Sequence, residues 1–289
     1  MQFASLLAFS REIAGVVAAT APAVAAVHAG RHSSSAIHWR DGLFAAASET
    51  IEREEDITLI LPSGRSAPAE FVGRDPTTGI ALLRPDAPDG AAVLKPAGQI
   101  EAGNLVIAVG RGEASPLAGH AVAAEVGPSW RSMRGGLIDR RIRLSGSIDP
   151  RAEGGAAVDA EGKLIGLVLF GPYRRALVIP AETVDRAAAT LAEKGHVPRG
   201  YLGAGLHPVR QADMRGAMVM SLEQNGPAET AGLTLGDIVT SWDGESVDGV
   251  RDLIRRLGPD RVGKTVALGV VRGGEARSVD VVIGTRPRS

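Results

Sequence analysis

The 289-residue sequence has no cysteine, which excludes a disulfide framework, Cys-held zinc, an iron–sulfur cluster and a thiol nucleophile. Aromatic residues are only 3% of the chain, so its cores are expected to be aliphatic and built from many short strands. Neither sign of charge predominates. The 32 Lys and Arg against 33 Asp and Glu leave a net charge of −1, which argues against a dedicated nucleic-acid binder or an acidic tail protein. Long hydrophobic runs are also lacking. Residues 1–27 are mostly apolar, but Arg11 and Glu12 interrupt them, leaving no run of the roughly 18–20 residues that a membrane span needs. A secretory signal wants a basic residue ahead of its apolar stretch, and Met1 to Ser10 carries none. The expectation is a helix over 11–21, stopped by Pro22 and leading into a strand over 23–27, with no transmembrane span. The chain is expected to be cytoplasmic, with a cleaved leader and a periplasmic protein as the alternative.

What is abundant is glycine, 37 residues, with 17 prolines. From His28 to about Pro180, short apolar segments are broken by Gly, Pro and Asp, as over 56–61, 69–72, 104–110, 142–144 and 164–170. Short strands without intervening helices predict a barrel or sandwich. Residues 181–194 differ: Ala181, Val184, Ala188 and Leu191 recur at helical spacing before Gly195. Residues 196–199 then read as a linker. The segment 200–289 reads as a small mixed α/β unit, with a strand over 216–222 and an Asp243-Gly244 turn. An amphipathic helix over 246–257 and a closing hairpin complete it.

The run from Gly226 to Val239 (GPAETAGLTLGDIV) resembles the signature of PDZ domains attached to bacterial proteases. Tyr201, Leu202, Gly203 and Ala204 then fall on the family's carboxylate-binding loop, where backbone N–H groups hold a peptide terminus as the peptide adds a strand. Ala204 is smaller than the aliphatic residue usual there, which leaves the pocket depth open. Residues 20–195 resemble the trypsin-like double barrel of HtrA/DegP-type serine proteases. The resemblance rests on residues 56–65, on 72–83 (VGRDPTTGIALL) and on 148–157 (IDPRAEGGAA). It implies a mostly β, chymotrypsin-like double barrel over 1–195, preceded by the N-terminal helix, and a PDZ domain over 200–289.

Carried over position by position, the resemblance places the nucleophile on Glu153 and the triad aspartate on Gly79. The histidine falls on Glu49, or on Ser48 with an offset of one residue. The oxyanion-hole glycine falls on Arg151, whose Cβ restricts the backbone. Serine-protease chemistry needs a hydroxyl, an imidazole base and a carboxylate that orients it, and none of the three stands at its position. His28, His32, His38, His120, His196 and His207 show no metal-ligand spacing, and no metal or cofactor is expected. If the fold is kept, Glu49 and Glu153 face each other in the old cleft. They are expected to drift in solvent, pair with Arg151 or hold a hard cation. Arg131, Arg134, Arg140, Arg141 and Arg143 form the one local basic cluster, read as a solvated face or an acidic partner's docking surface.

The expected function is that of a catalytically inactive member. It would act as an adaptor, scaffold or chaperone-like regulator that binds protein C-termini or unfolded polypeptides through the PDZ domain. Self-association, as a trimer through the N-terminal segment carrying Phe3 and Phe9, or association with active relatives, is implied by the same resemblance. The alternative is a hydrolase with a rearranged site, built around a displaced histidine such as His32 or His38.

Overall fold

The computed structural model describes residues 3–87, 90–171, 174–211 and 214–287, and the side chains from residue 5 onward. It divides into two compact units. One holds Met1–Trp130 and Ile138–Val197; the other holds Arg131–Leu137 and Pro198–Ser289.

The first unit opens with α1 (Phe3–Thr20), longer than the helix expected over 11–21. Arg11 and Glu12 are both good helix formers and do not break it. A 19-residue stretch, Ser5–Ala23, has a mean hydropathy of 1.3 and is long and apolar enough to cross a membrane by length and composition. The expectation that no segment reaches spanning length therefore does not hold. A 3-10 turn at Ala21–Ala23 with Pro22 in it ends the helix. Phe9 on α1 is exposed, while the Phe3 side chain lies outside the described residues.

Two closed six-stranded barrels follow. The first uses β1 (Val24–His28), β2 (Ser33–Arg40), β3 (Leu43–Ala47), β4 (Ile57–Ile60), β5 (Ser66–Asp75) and β6 (Ile80–Pro85), ordered β1-β2-β3-β6-β5-β4. The second uses β7 (Leu105–Arg111), β8 (Pro116–Gly127), β11 (Arg141–Ser147), β12 (Ala156–Val158), β13 (Leu164–Phe170) and β14 (Ala176–Pro180). Between β8 and β11 lies a two-stranded ribbon of β9 (Trp130–Arg131) and β10 (Leu137–Ile138).

Strands buried on both faces explain the near-continuous apolar runs. Successive residues along a strand point to opposite faces. In β3, Phe44 and Ala46 fill the first barrel with Leu59 and Leu83, while Ala45 points into a layer shared with Ile107, Val109 and Leu167. In β7, Val106 and Ala108 instead join the second barrel's interior with Val168 and Val178. Helix α2 (Ala181–Lys194) closes the shared layer with Val184, Ala188 and Leu191. It is pinned to β2, because Asp185 Oδ1 accepts from Trp39 Nε1 at 2.9 Å and from Arg40 at 2.7 Å.

The second unit contains a short pair of β15 (Gly200–Tyr201) with β22 (Gly284–Thr285). Its main sheet runs β16 (Ala204–Gln211), β17 (Met214–Leu222), β18 (Ile238–Trp242), β20 (Thr265–Arg272) and β21 (Glu275–Val282), with β19 (Glu245–Ser246) on β18. Helices α3 (Pro227–Thr230) and α4 (Val250–Arg256) pack on it. Helix α4 is shorter than the expected 246–257, because Ser246 is taken by the β18–β19 pairing. Trp242, Leu253, Leu268 and Val281 centre this core.

Candidate functional site

The cleft positions in the first unit come from three separate segments that the barrels draw together. Strand β3 runs into a 3-10 turn, Ser48–Thr50, which carries Glu49. The Ser48 N–H donates to the Gly79 carbonyl at 2.9 Å, joining the Ser48–Thr50 turn to the Gly79 segment. The Glu153 carbonyl accepts from the Ser35 N–H at 2.8 Å, which fixes the third segment against β2. Glu49 is exposed and Glu153 is half-buried.

Gly79 lies at φ +79°, in the left-handed region that disfavours a side chain. A Cβ there would stand 2.9 Å from Leu169 Cδ1. Leu169 belongs to the apolar layer, so it occupies the space that an orienting side chain would need. Nothing local along the chain signals this, because Leu169 reads simply as part of strand β13.

The backbone around Glu153 is self-satisfied. Pro150–Ala152 form a 3-10 turn capped by Asp149, whose Oδ1 accepts from the Arg151 N–H at 2.9 Å. The Glu153 N–H donates to the Pro150 carbonyl at 3.1 Å. These are the amides of the two residues that the resemblance puts at the oxyanion-glycine and nucleophile positions, and each already has a partner within the chain. An oxyanion hole works through donors held ready for the charge that develops on the substrate.

Glu153 Oε1 accepts from the Phe170 N–H at 3.1 Å. Burial pushes this carboxyl above its ordinary range, Glu49 pushes the same way, and the Phe170 N–H and the Arg174 charge oppose both. Arg174 also stacks 5.8 Å over the Phe170 ring. The cation near Glu153 is therefore Arg174. The expected Arg151 pairing does not form, because Asp149 captures that guanidinium with contacts of 3.0 and 2.7 Å. Among the described residues no group of three or more His, Asp or Glu could hold a metal ion. His38 is buried, tilted on Phe44 at 5.2 Å, with Nδ1 3.1 Å from the Ala92 carbonyl. It packs as a core residue, whereas His32 is exposed.

The arginine cluster is divided among local carboxylates. Arg140 pairs with Glu182 at 3.2 Å, Arg143 and Arg141 with Glu125 at 2.9 and 3.9 Å, and Arg131 with Asp260 at 2.6 Å. Arg141 also lies 5.0 Å over the Trp130 ring.

In the second unit, Tyr201 ends β15 and Ala204 begins β16, the edge strand of the main sheet. Gly203 between them has φ +69°. The loop is anchored from behind: the Leu202 carbonyl accepts from Ala228 N–H and the Gly203 carbonyl from Glu223 N–H, both at 2.8 Å. Leu202 is buried in the core and Ala204 is half-buried at its margin. Residues 201–204 thus form a turn at an open sheet edge, with α4 packed on β16 and β17. The sequence reading missed Glu223. Its carboxylate raises the pKa of the Tyr201 phenol, and a Cβ at Gly203 would lie 3.4 Å from Glu223 Oε2.

Two six-stranded barrels in series, followed by a small sheet domain with this loop, define a trypsin-like peptidase fold joined to a PDZ domain. Residues 34–167 match the trypsin-like peptidase domain family and residues 200–283 the PDZ domain family. The chain is 30% identical over 264 residues to the "Probable periplasmic serine endoprotease DegP-like" of Brucella suis biovar 1 (strain 1330), covering 86% of this chain and 51% of that protein. Its identity to the protein of the same description from Halomonas elongata is 31% over 266 residues, covering 86% and 55%. The chain thus spans about half the length of the curated relatives it matches. Among solved structures, the HtrA-type protease AlgW with a decapeptide superposes with a TM-score of 0.73 at 22% identity, covering 96% of this chain and 99% of that one. The serine endoprotease from Yersinia pestis gives a TM-score of 0.73 at 23% identity, covering 95% and 98%. The chain is thus similar, in both of its domains and in their order, to HtrA/DegP-type serine endoproteases.

The same relatives overturn the cytoplasmic expectation. They are described as periplasmic, and the apolar stretch Ser5–Ala23 lies at the N-terminal end of the chain. The missing basic residue ahead of that stretch does not outweigh the relatives' periplasmic description.

Proposed function

We propose that this protein is a proteolytically silent member of the HtrA/DegP type that works through its PDZ domain. It would act as an adaptor or scaffold for the C-termini or unfolded segments of other polypeptides. The observation that carries the reading is the commitment of both amides beside the nucleophile position, Arg151 N–H to Asp149 and Glu153 N–H to Pro150. Acyl transfer needs such donors free for the oxyanion. It also needs a hydroxyl and an imidazole where this chain carries Glu153 and Glu49. The open edge of β16 beside the Tyr201–Ala204 loop supports capture of a peptide by strand addition. The periplasm suits this role, with Ser5–Ala23 as the export segment.

The test uses the full-length chain with casein and with short peptides carrying either a free or an amidated C-terminus. No cleavage above the buffer blank is expected, with saturable binding of the free acids and not of the amides. Cleavage that disappears on Ser48→Ala or Glu153→Gln would replace this reading with a rearranged hydrolase.

A further inference from the structure

We infer that Pro208 limits the PDZ edge to the tip of a C-terminus, with a ladder that stops after the third residue from the end. The limit rests on the peptide capture proposed above and says which polypeptides that edge takes: free C-terminal tips, and not extended internal segments. Pro208 lies in the middle of edge strand β16 and is exposed. Proline has no N–H, so it ends pairing on whichever side its nitrogen faces.

The register shows which side that is. The Val219 N–H donates to the Asp237 carbonyl at 2.8 Å, and the Val219 carbonyl accepts from the Gly236 N–H at 2.9 Å. Val219 thus turns its backbone groups toward β18. Opposed pairs in an antiparallel ladder alternate between bonded and non-bonded, so Met218 turns toward β16, where it stands opposite His207. Pro208 stands opposite Ala217, which turns to Val239 of β18. The Pro208 nitrogen therefore points outward, where β17 needs no donor from it. The bulge between the two strands skips Met220 on β17 and leaves the alternation along β16 unbroken. The Gly203 carbonyl keeps the same phase, accepting from the Glu223 N–H. Ala204, Leu206 and Pro208 are then the residues whose backbone groups face the open edge.

A carboxylate held at the 201–204 loop puts the last residue of a peptide level with Ala204. With a period of two, the third residue from the end meets Leu206, which offers both an N–H and a carbonyl. The fifth meets Pro208, which offers a carbonyl alone, with its ring Cδ where the donor hydrogen would be. The peptide carbonyl at that level would give up its water without gaining a donor. An internal segment has no carboxylate for the loop, and a proline on an edge strand blocks pairing along the rest of its length.

Calorimetric titrations of the full chain compare acetyl-Ala-Ala-Leu with acetyl-Ser-Ala-Ser-Ala-Ala-Ala-Leu, both free acids with uncharged side chains. The two should bind within about twofold of each other. In Pro208→Ala, which supplies the missing donor, the heptapeptide should bind about fivefold more tightly than the tripeptide, the worth of one net hydrogen bond. N-methylation of the heptapeptide reads the same limit on the unaltered chain. At the third residue from the end it should weaken binding at least tenfold, and at the fifth it should change nothing. A heptapeptide that binds the unaltered chain more than twofold tighter, an unchanged ratio in Pro208→Ala, or equal losses from the two methylations would overturn the limit while leaving peptide capture intact. Binding of neither peptide would remove peptide capture itself, and the limit with it.

Discussion

Glu153 Oε1 and the Phe170 N–H are 3.1 Å apart and hydrogen-bonded, so the Glu153 side chain is tied to the end of β13. Burial raises this carboxyl's pKa, with Glu49 adding to the effect. The folded state therefore holds the Glu153 proton more tightly than the unfolded chain does. The stability linked to that proton is fully present below the unfolded carboxylate pKa and is lost as pH rises through the higher folded one.

Glu153→Gln should remove this pH dependence, because the amide oxygen still accepts from Phe170 without carrying charge. The variant should melt above the wild type at pH 7, with the difference shrinking as pH falls below the carboxylate range. Thermal melts at pH 4 and pH 7 measure it. A wild-type advantage at pH 7 would mean that the Arg174 charge outweighs burial at this position.

Introducing a Ser-His-Asp set at the positions the resemblance suggests should not create proteolysis. In the triple variant Glu49→His, Gly79→Asp, Glu153→Ser, the new aspartate would still start from φ +79° with its Cβ 2.9 Å from Leu169. Backbone strain of this kind costs about 1–3 kcal/mol. The Arg151 amide would remain with Asp149. Casein turnover by the triple variant should stay at the blank level. Adding Asp149→Ala, which frees the residue-151 amide, and Leu169→Ser, which makes room beside residue 79, addresses both obstacles.

The PDZ unit should depend on Asp237. Its carboxylate is fully buried, accepts from Thr234 N–H at 2.8 Å and takes both Arg272 Nε and a terminal nitrogen at 2.7 Å. The Arg272 hydrogen bonds hold its pKa low. The stability it contributes is present above the unfolded aspartate pKa and lost as pH falls through the lower folded value. Asp237→Asn should cost about 2 kcal/mol at pH 7. The loss should narrow in acid, as read from urea melts of the full chain at pH 7 and pH 3.

Local runs made much of this architecture legible. The 226–239 segment carries its turn, its short helix and its strand entry in consecutive residues, and α2 declares itself by apolar spacing and a closing Gly195. Features assembled from distant residues stayed hidden. Leu169 fills the space at Gly79, and Asp149 claims both the amide and the guanidinium of Arg151. Strand β2 was obscured for a different reason. Ser34 and Ser35 look like loop residues, yet both are buried because their hydroxyls donate to Thr50 Oγ1 and the Arg151 carbonyl at 2.9 and 2.7 Å. Hydroxyl-bearing residues enter a core when such partners exist, and those partners lie in 3-10 turns distant along the chain.

Peptide capture should respond in opposite directions to two changes at the Tyr201–Ala204 loop. Gly203→Val places a β-branched residue at φ +69°, with its Cβ 3.1 Å from Pro227 Cδ and 3.2 Å from Gly226 Cα. The loop must shift to accept it, and free-acid peptides should bind at least tenfold more weakly. Glu223→Gln should do the reverse. The Glu223 carboxylate stands beside the loop, close enough to Gly203 and Tyr201 to raise the phenol's pKa, so a peptide's terminal carboxylate meets a like charge there. Like charges at close range oppose one another, and removing one should tighten binding by about 1 kcal/mol or less, since the site is open to solvent. Fluorescence anisotropy at low and high salt separates the two effects. The gain in Glu223→Gln should fade with added salt, whereas the loss in Gly203→Val is steric and should persist. Equal salt sensitivity in both variants would mean that the loop is not where the terminus sits.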